Sequence, residues 1–302
     1  MAQHDQTDWQ GMAQRYRRDG YVVIRQAFSP QEVRAFRDEA SALCSGHRGQ
    51  VLGAEAVAAA AATDRDALAS VLAIHFPHKA SELLKQTLFN DAIVALLREV
   101  IGPDIKCMQS MLFVKHAGKP GQAWHQDEHY IPTRDRSLVG VWIALDDARE
   151  DNGGLWMHPG SHEAGILWPT REHQDKRFDA SAEAFDFPYA REGGVPVDAD
   201  AGDVVVFHGY VLHRSLNNRR QQGFRRAIVN HVMSARLLLP WSFGMPPTPR
   251  EDFRDVVMVS GEDPYAWKGY EDITKPFLRA EDPAQARTIY RQLTGRKESP
   301  PA

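Results

Sequence analysis

The rhythm of apolar and polar positions changes partway along the chain, from helical spacing to short strand-like runs, at about Ile105. Upstream of that point, Trp9 to Arg18 reads as a short amphipathic helix. Asp19-Gly20 then turns into Tyr21-Val22-Val23-Ile24, a β-branched run that predicts a strand. Ser29-Pro30-Gln31-Glu32 has the residues of a helix start. The Ser29 hydroxyl can accept from a first-turn amide, Glu32 can reach back to the cap, and Pro30 has no amide to leave unpaired. This helix is expected to run to about Ser45. Residues 46–100 read as mostly helical, with an Ala-rich stretch at 54–62 and a helix from Asp91 to Ile101 ended by Gly102-Pro103.

Downstream, Cys107 to Val114, Leu138 to Leu145, Gly154 to Met157, Val195 to Val197, Asp203 to His208 and Ala227 to Leu238 all predict strands. Turns rich in Gly, Pro, Asn and Asp separate them, a pattern that suggests a sandwich or barrel of the jelly-roll type. The polar stretch 171–194 reads as an insertion over the barrel mouth. A last helix is expected from Pro283 to Leu293, followed by a disordered RKESPPA tail. The expected architecture is mainly β with flanking helices, in one domain over 1–302. It has a helical N-terminal layer at about 1–104, a β core at about 105–240 and a C-terminal extension at 241–302.

Composition narrows the function classes. Hydrophobic content of 43% supports a large core, and 36 basic against 40 acidic residues argue against nucleic acid as a partner. Two cysteines, Cys44 and Cys107, fit a reducing compartment better than a disulfide scaffold. The first twenty residues lack an apolar signal segment, and no run approaches the length of a membrane span, so the expectation is a cytoplasmic protein with no membrane partner.

The chemistry lies in Trp124-His125-Gln126-Asp127 and the distant Val211-Leu212-His213-Arg214-Ser215. Two imidazoles and one carboxylate in this order are the ligand set of a mononuclear non-haem iron site, which leaves coordination positions open for oxygen and a co-substrate. On an extended strand His125 and Asp127 would share a face. Plainer readings stand beside this one: a surface hydrogen-bonded couple for the pair, and a core or loop histidine for His213. In Gly223-Phe224-Arg225-Arg226-Ala227-Ile228, one arginine of the pair must face inward on a regular strand, where it could clamp a carboxylate in two-pronged fashion. Arg226 reads rather as a solvated charge.

Six segments in order carry a resemblance: Met108 to Lys115, Trp124 to Tyr130, Asn152 to Leu155, Pro159 to His162, His213 to Ser215, and Gly223 to Ile228. With the opening Asp19-Gly20-Tyr21 they make the chain, over roughly residues 15–235, resemble the phytanoyl-CoA dioxygenase family of Fe(II)- and 2-oxoglutarate-dependent oxygenases. The resemblance implies a double-stranded β-helix core, of the jelly-roll or cupin-like kind. It implies iron on His125, Asp127 and His213, and Arg225 on the distal carboxylate of 2-oxoglutarate with Ser215 beside it. Trp142 and Met111 match positions lining the co-substrate pocket. The interval from His213 to Arg225 is one residue longer than in the family's namesake. If the extra residue is not in the Asn217–Gln222 turn, Arg226 becomes the clamp.

The activity implied is O2-dependent oxidation of a small-molecule substrate, with release of succinate and CO2. The carboxylate of Asp127 favours hydroxylation over halogenation, because related halogenating enzymes carry a small residue there. Desaturation, epimerisation and cyclisation use the same ligands. A zinc or manganese isomerase or a non-catalytic sensing barrel would have no need of an Arg225 clamp. Weaker candidates are His75, His78, Lys79, His129, Tyr130, Arg134, Arg136 and Arg214. His158 and His162 read as turn residues at the rim, and Trp124, Trp156, Trp168 and Trp241 as hydrophobic mass.

Overall fold

The computed structural model describes residues 7–179, 181–238 and 255–294. The N-terminal part contains α1 (Trp9–Asp19), β1 (Tyr21–Ile24), α2 (Pro30–Cys44), α3 (Ala54–Ala60), α4 (Asp64–Ser70), β2 (Val71–His75), α5 (Pro77–Ala80), α6 (Glu82–Lys85) and α7 (Asp91–Val100). Ser29 and Glu32 cap α2 reciprocally, as their spacing predicts. There follow β3 (Ile105–His116), β4 (Gln122–His125), α8 (Asp127–Tyr130), β5 (Val139–Ala144), β6 (Leu155–Met157), β7 (Thr170–Arg171), β8 (Glu183–Ala184), β9 (Val195–Val197), β10 (Val204–His208), β11 (His213–Ser215) and β12 (Phe224–Ser234). The chain continues with β13 (Val257–Ser260), β14 (Phe277–Ala280) and α9 (Pro283–Thr294).

An eight-stranded antiparallel sheet, ordered β1-β10-β5-β12-β3-β2-β14 with β13 also on β3, lies opposite a four-stranded sheet ordered β4-β11-β6-β9. This is the double-stranded β-helix expected from the sequence. The central strands of the larger sheet are buried on both faces, so they read as continuous apolar runs and still alternate in what they touch. Val141 and Ile143 of β5, with Val204 and Val206 of β10, pack into the core shared with the helices. Trp142, Ala144, Val205 and Phe207 pack inward toward the smaller sheet with Leu155 and Met157. Each valine, isoleucine, leucine, methionine or phenylalanine among them contributes roughly 1.5–3 kcal/mol when taken from water.

Two expectations need correction. Residues 46–100 are not simply helical: Val71–His75 forms β2, bonded between β3 and β14. Its alternation is too short to separate from the helical spacing around it. The C-terminal part does more than add a helix, because β13 and β14 extend the main sheet. The expected tail and Trp241 lie outside the described residues. The stretch 171–194 is irregular but anchored by the β7–β8 pair and by backbone bonds from Gly121 to Arg177 and from Asp179 to Gly121. Among the described residues, no helix is long and apolar enough to cross a membrane.

Cys44 and Cys107 are free and fully buried, and burial pushes both thiols up to about 12. Thiolate is therefore scarce and inaccessible in the folded protein. A chromogenic thiol reagent at pH 8 is expected to label neither cysteine in the native state and both after denaturation. Fast native labelling of either would contradict this packing.

Candidate metal centre and co-substrate pocket

β4 and β11 are antiparallel neighbours, with His125 directly opposite His213 and their ring centroids 4.0 Å apart. Asp127 is not on the strand, as its spacing suggested, but opens the single turn of α8. Gln126 between them is extended, with φ −129° and ψ 128°, and this one extended residue suffices to bring His125 and Asp127 to the same side. The Gln126 side chain leaves in the other direction. Its amide donates to the carbonyls of Ile166 and Tyr210 at 2.9 and 2.8 Å and accepts from the Trp168 amide at 2.8 Å, which fixes the bend.

One donor atom each from His125, Asp127 and His213 falls within 4.8 Å of the others, and all three residues are buried. The tautomers suit a metal. His125 Nδ1 lies 2.7 Å from the Ala123 carbonyl and His213 Nδ1 lies 3.1 Å from that of Val211. A carbonyl can only accept, so each Nδ1 carries a proton, which leaves Nε2 as the atom that can bind a metal. Those Nε2 atoms face Asp127 Oδ1 at 3.8 and 3.5 Å. Burial, reinforced by His213, lowers His125 to about 4, so the imidazole is neutral. Burial opposes ionisation of Asp127, but His213, His231 and His125 around it hold the carboxyl below its usual range. His231 Nε2 is 3.2 Å from Asp127 Oδ2. Two imidazoles whose Nε2 atoms point at one carboxylate fit a divalent metal ion.

The triad opens into a cavity of about 520 Å³. Its far wall comes from β3 and β12, whose register pairs Lys115 with Arg225, Met111 with Val229 and Gln109 with His231. All of these line the cavity, as do Phe113, Trp142, Leu155, Phe207 and Ser215. The pleat thus decides between the adjacent arginines. Arg225 faces inward with the odd-numbered positions, whereas Arg226 faces the helices and binds both carboxylate oxygens of Asp146 at 2.8 and 2.9 Å. Arg226 is therefore a nearly buried ion pair rather than a solvated charge.

Arg225 is buried, its Nε has no partner, and its guanidinium lies over the Trp142 ring at 5.6 Å. Burial lowers it to about 10, partly offset by Asp146. Beside it, burial and then Arg225 push Lys115 well below the usual lysine range. Lys115 Nζ donates to Ser215 Oγ at 2.9 Å and to the Leu216 carbonyl at 2.6 Å, both neutral acceptors. A buried arginine with no protein carboxylate bonded to it, beside a lysine amine with only neutral partners, can receive an anionic group.

Of the weaker candidates, His75 and Tyr130 line the cavity, and His75 stacks on Phe277 at 4.3 Å. His78 bonds Ser110, and Lys79 pairs with Asp255 and Asp272. His158 stacks on Trp124, His162 meets the Arg17 carbonyl, and Arg136 lies over Tyr210, all away from the cavity; His129 and Arg134 are absent from its lining. The Arg214 guanidinium is held between Trp124 and Trp156. Reading single motifs missed Lys115, His231, Asp179 and Arg279, all of which line the cavity. Counting by two from Met111 and from Arg225 reaches Lys115 and His231. No local signal marks Asp179 or Arg279.

The sequence model of the phytanoyl-CoA dioxygenase family matches residues 16–227. Phytanoyl-CoA dioxygenase 1 of Oryza sativa subsp. japonica is 30% identical, over 71% of this chain and 85% of that one. L-proline trans-4-hydroxylase of Streptomyces griseoviridis is 27% identical, over 71% and 82%. Among solved structures, the epimerase SnoN in complex with Fe3+, α-ketoglutarate and nogalamycin RO superposes with TM-score 0.60 at 21% identity, over 81% of this chain and 93% of that one. The non-haem monooxygenase ThoJ superposes with TM-score 0.61 at 22% identity, over 95% of each chain, and the two superpositions establish the shared fold. Fold and sequence likeness define a non-haem iron, 2-oxoglutarate-dependent dioxygenase, with Fe(II), 2-oxoglutarate and O2 as its cofactors. The chain belongs to the phytanoyl-CoA dioxygenase family.

Gly121, just before β4, is where that strand approaches β11 most closely: a Cβ there would fall on the Ser215 carbonyl oxygen, with the Leu216 carbonyl carbon at 2.7 Å. Neither backbone group can yield without parting the strands that carry His125 and His213. Gly121→Ala is expected to destabilise the protein by about 1–3 kcal/mol and to weaken metal binding. Unchanged melting temperature and metal affinity would show that the strands separate freely.

Proposed function

We propose that His125, Asp127 and His213 hold the iron and that Arg225, with Lys115 and Ser215, holds the distal carboxylate of 2-oxoglutarate. The reaction would be hydroxylation of a small-molecule substrate, with release of succinate and CO2. The observation that carries the reading is the pairing, in one cavity, of a buried two-histidine, one-carboxylate set with a buried arginine lacking a carboxylate partner. A site for metal alone would not need the second feature.

The iron, when bound, supplies O2 activation coupled to oxidative decarboxylation of 2-oxoglutarate. The chain's own residues supply position and environment. His125 and His213 offer Nε2 because the Ala123 and Val211 carbonyls hold the opposite nitrogen protonated. Asp127 offers Oδ1 while His231 bonds Oδ2. Arg225 is rigid on β12 and stacked on Trp142, so it orients an anion at little further entropic cost. Lys115 and Ser215 complete that anion site. Gly153 leaves them room: a Cβ there would come 2.6 Å from Lys115 Cδ. Met111, Phe113, Leu155, Phe207 and Val229 keep the space between the two ends apolar and exclude water.

The test is anaerobic addition of Fe(II) and 2-oxoglutarate, expected to give a weak visible charge-transfer band. An iron-loaded, folded sample without the band would overturn the reading. His213→Ala is expected to abolish succinate release. Arg225→Ala is expected to raise KM for 2-oxoglutarate about 10- to 100-fold, and Lys115→Met to raise it by less. His231→Ala is expected to weaken Fe(II) binding roughly tenfold or more. Product mass separates hydroxylation, which adds one oxygen, from desaturation, epimerisation and cyclisation.

A further inference from the structure

The charged residues lining the cavity are mostly committed. Asp127 belongs to the triad and Arg225 and Lys115 to the closed end, Lys119 is paired with Glu281, and the Arg214 guanidinium is stacked between two tryptophans. One ion pair is left at the more exposed end, Asp179 with Arg279 at 3.1 Å. Its members come from distant parts of the chain. Asp179 is on the segment docked against Gly121, and Arg279 is on β14. Phe277 and Arg279 lie outside residues 16–227, which match the family model.

The pair has unused bonding capacity. Asp179 Oδ1 accepts from the Ser181 amide at 3.0 Å, while Oδ2 faces a single Arg279 nitrogen. Among the described residues no other carboxylate meets Arg279. The Tyr130 hydroxyl and the side-chain amides of Gln109 and Gln122 also line the cavity, with no hydrogen-bond partner among the described residues. Tyr130 meets the His125 ring edge-on, with centroids 6.4 Å apart, so this polar group borders the metal ligands.

We propose that Asp179 and Arg279 recognise the substrate to be oxidised, and that this substrate is a small zwitterion of the α-amino acid type, with ammonium and carboxylate close together. The inference rests on the oxygenase reading of the cavity. In such a molecule both charges are on one carbon, so one end can meet Asp179 and Arg279 together and leave no charge uncompensated. A polyanion such as an acyl-CoA thioester would need unpaired cations at the rim. Of the other cations lining the cavity, Lys119 is balanced by Glu281, Arg214 by Glu192 and Arg279 by Asp179. A wholly apolar substrate would take water from the pair and give nothing in return. The cavity of about 520 Å³ must also hold the co-substrate, which keeps the substrate small. With the charged end fixed at the mouth, the carbon presented to the triad is one remote from the α-carbon.

The experiment uses the full chain loaded anaerobically with Fe(II) and 2-oxoglutarate. A pool of free α-amino acids is screened by ligand-observed NMR and hits are measured by calorimetry, each against its N-acetyl and methyl-ester derivatives. At least one free amino acid is expected to bind about tenfold or more tightly than either derivative. Arg279→Gln and Asp179→Asn are each expected to remove that preference. Asp179→Arg combined with Arg279→Asp rebuilds the tie between the two segments with reversed polarity. It is expected not to restore turnover of the hit. A sample that shows the visible band but binds no pool member overturns this inference alone, as does equal binding of the derivatives or full rescue by the swapped pair. A sample without the band overturns the oxygenase reading and this inference with it.

Discussion

Alternation of side chains along two long, paired strands is the constraint on which the site depends. β3 and β12 run antiparallel in continuous register from Lys115–Arg225 to Gln109–His231. A pleat with a period of two turns every second residue of both strands to the cavity and the rest to the helices. That one rule places an anion receptor at the closed end, an apolar wall in the middle and a histidine beside the metal-side carboxylate at the other. A slip of one residue in either strand would exchange Arg225 for Arg226 and expose the helix-facing core to the cavity.

Much of this was legible in the sequence because the informative features are local. The capping box of α2, the β-branched runs and the His-X-Asp pair each announce themselves within a few residues. Asp127 departs from the expected strand for an instructive reason: Gln126 alone is extended, and a helical turn follows it, yet the shared face of His125 and Asp127 survives. One extended residue is enough for the shared face, and nothing in the local sequence marks where the extended backbone ends. β2 and β14 were not legible, since their partner strands lie far away in the chain and short strands draw their stability from such partners. Asp179 and Arg279 are likewise meaningful only once β14 and the 171–194 segment are seen to meet.

The electrostatics of the cavity divide by environment. At the closed end, burial works against the two cations, and with no carboxylate bonded to either, an incoming anion is the favourable remedy. At the triad, burial lowers His125, while Asp127 is held below the usual carboxylate range with His231 hydrogen-bonded to its Oδ2. At the mouth the charges are matched pair by pair. The three environments share a single cavity and are not insulated from one another, since the charge of Asp179 acts on both Lys115 and His125.

β14 gives the molecule a direction in time. It is bonded to β2, and through β2 to β3, so the wall that carries Phe277 and Arg279 is built from a segment near the start of the chain and one near its end. A ribosome releases the triad and the anion receptor well before it releases that last strand. During synthesis the cavity therefore exists first as an open trough, with β2 as an unpaired edge. It gains that wall, and loses the exposed edge of β2, only once β14 has emerged.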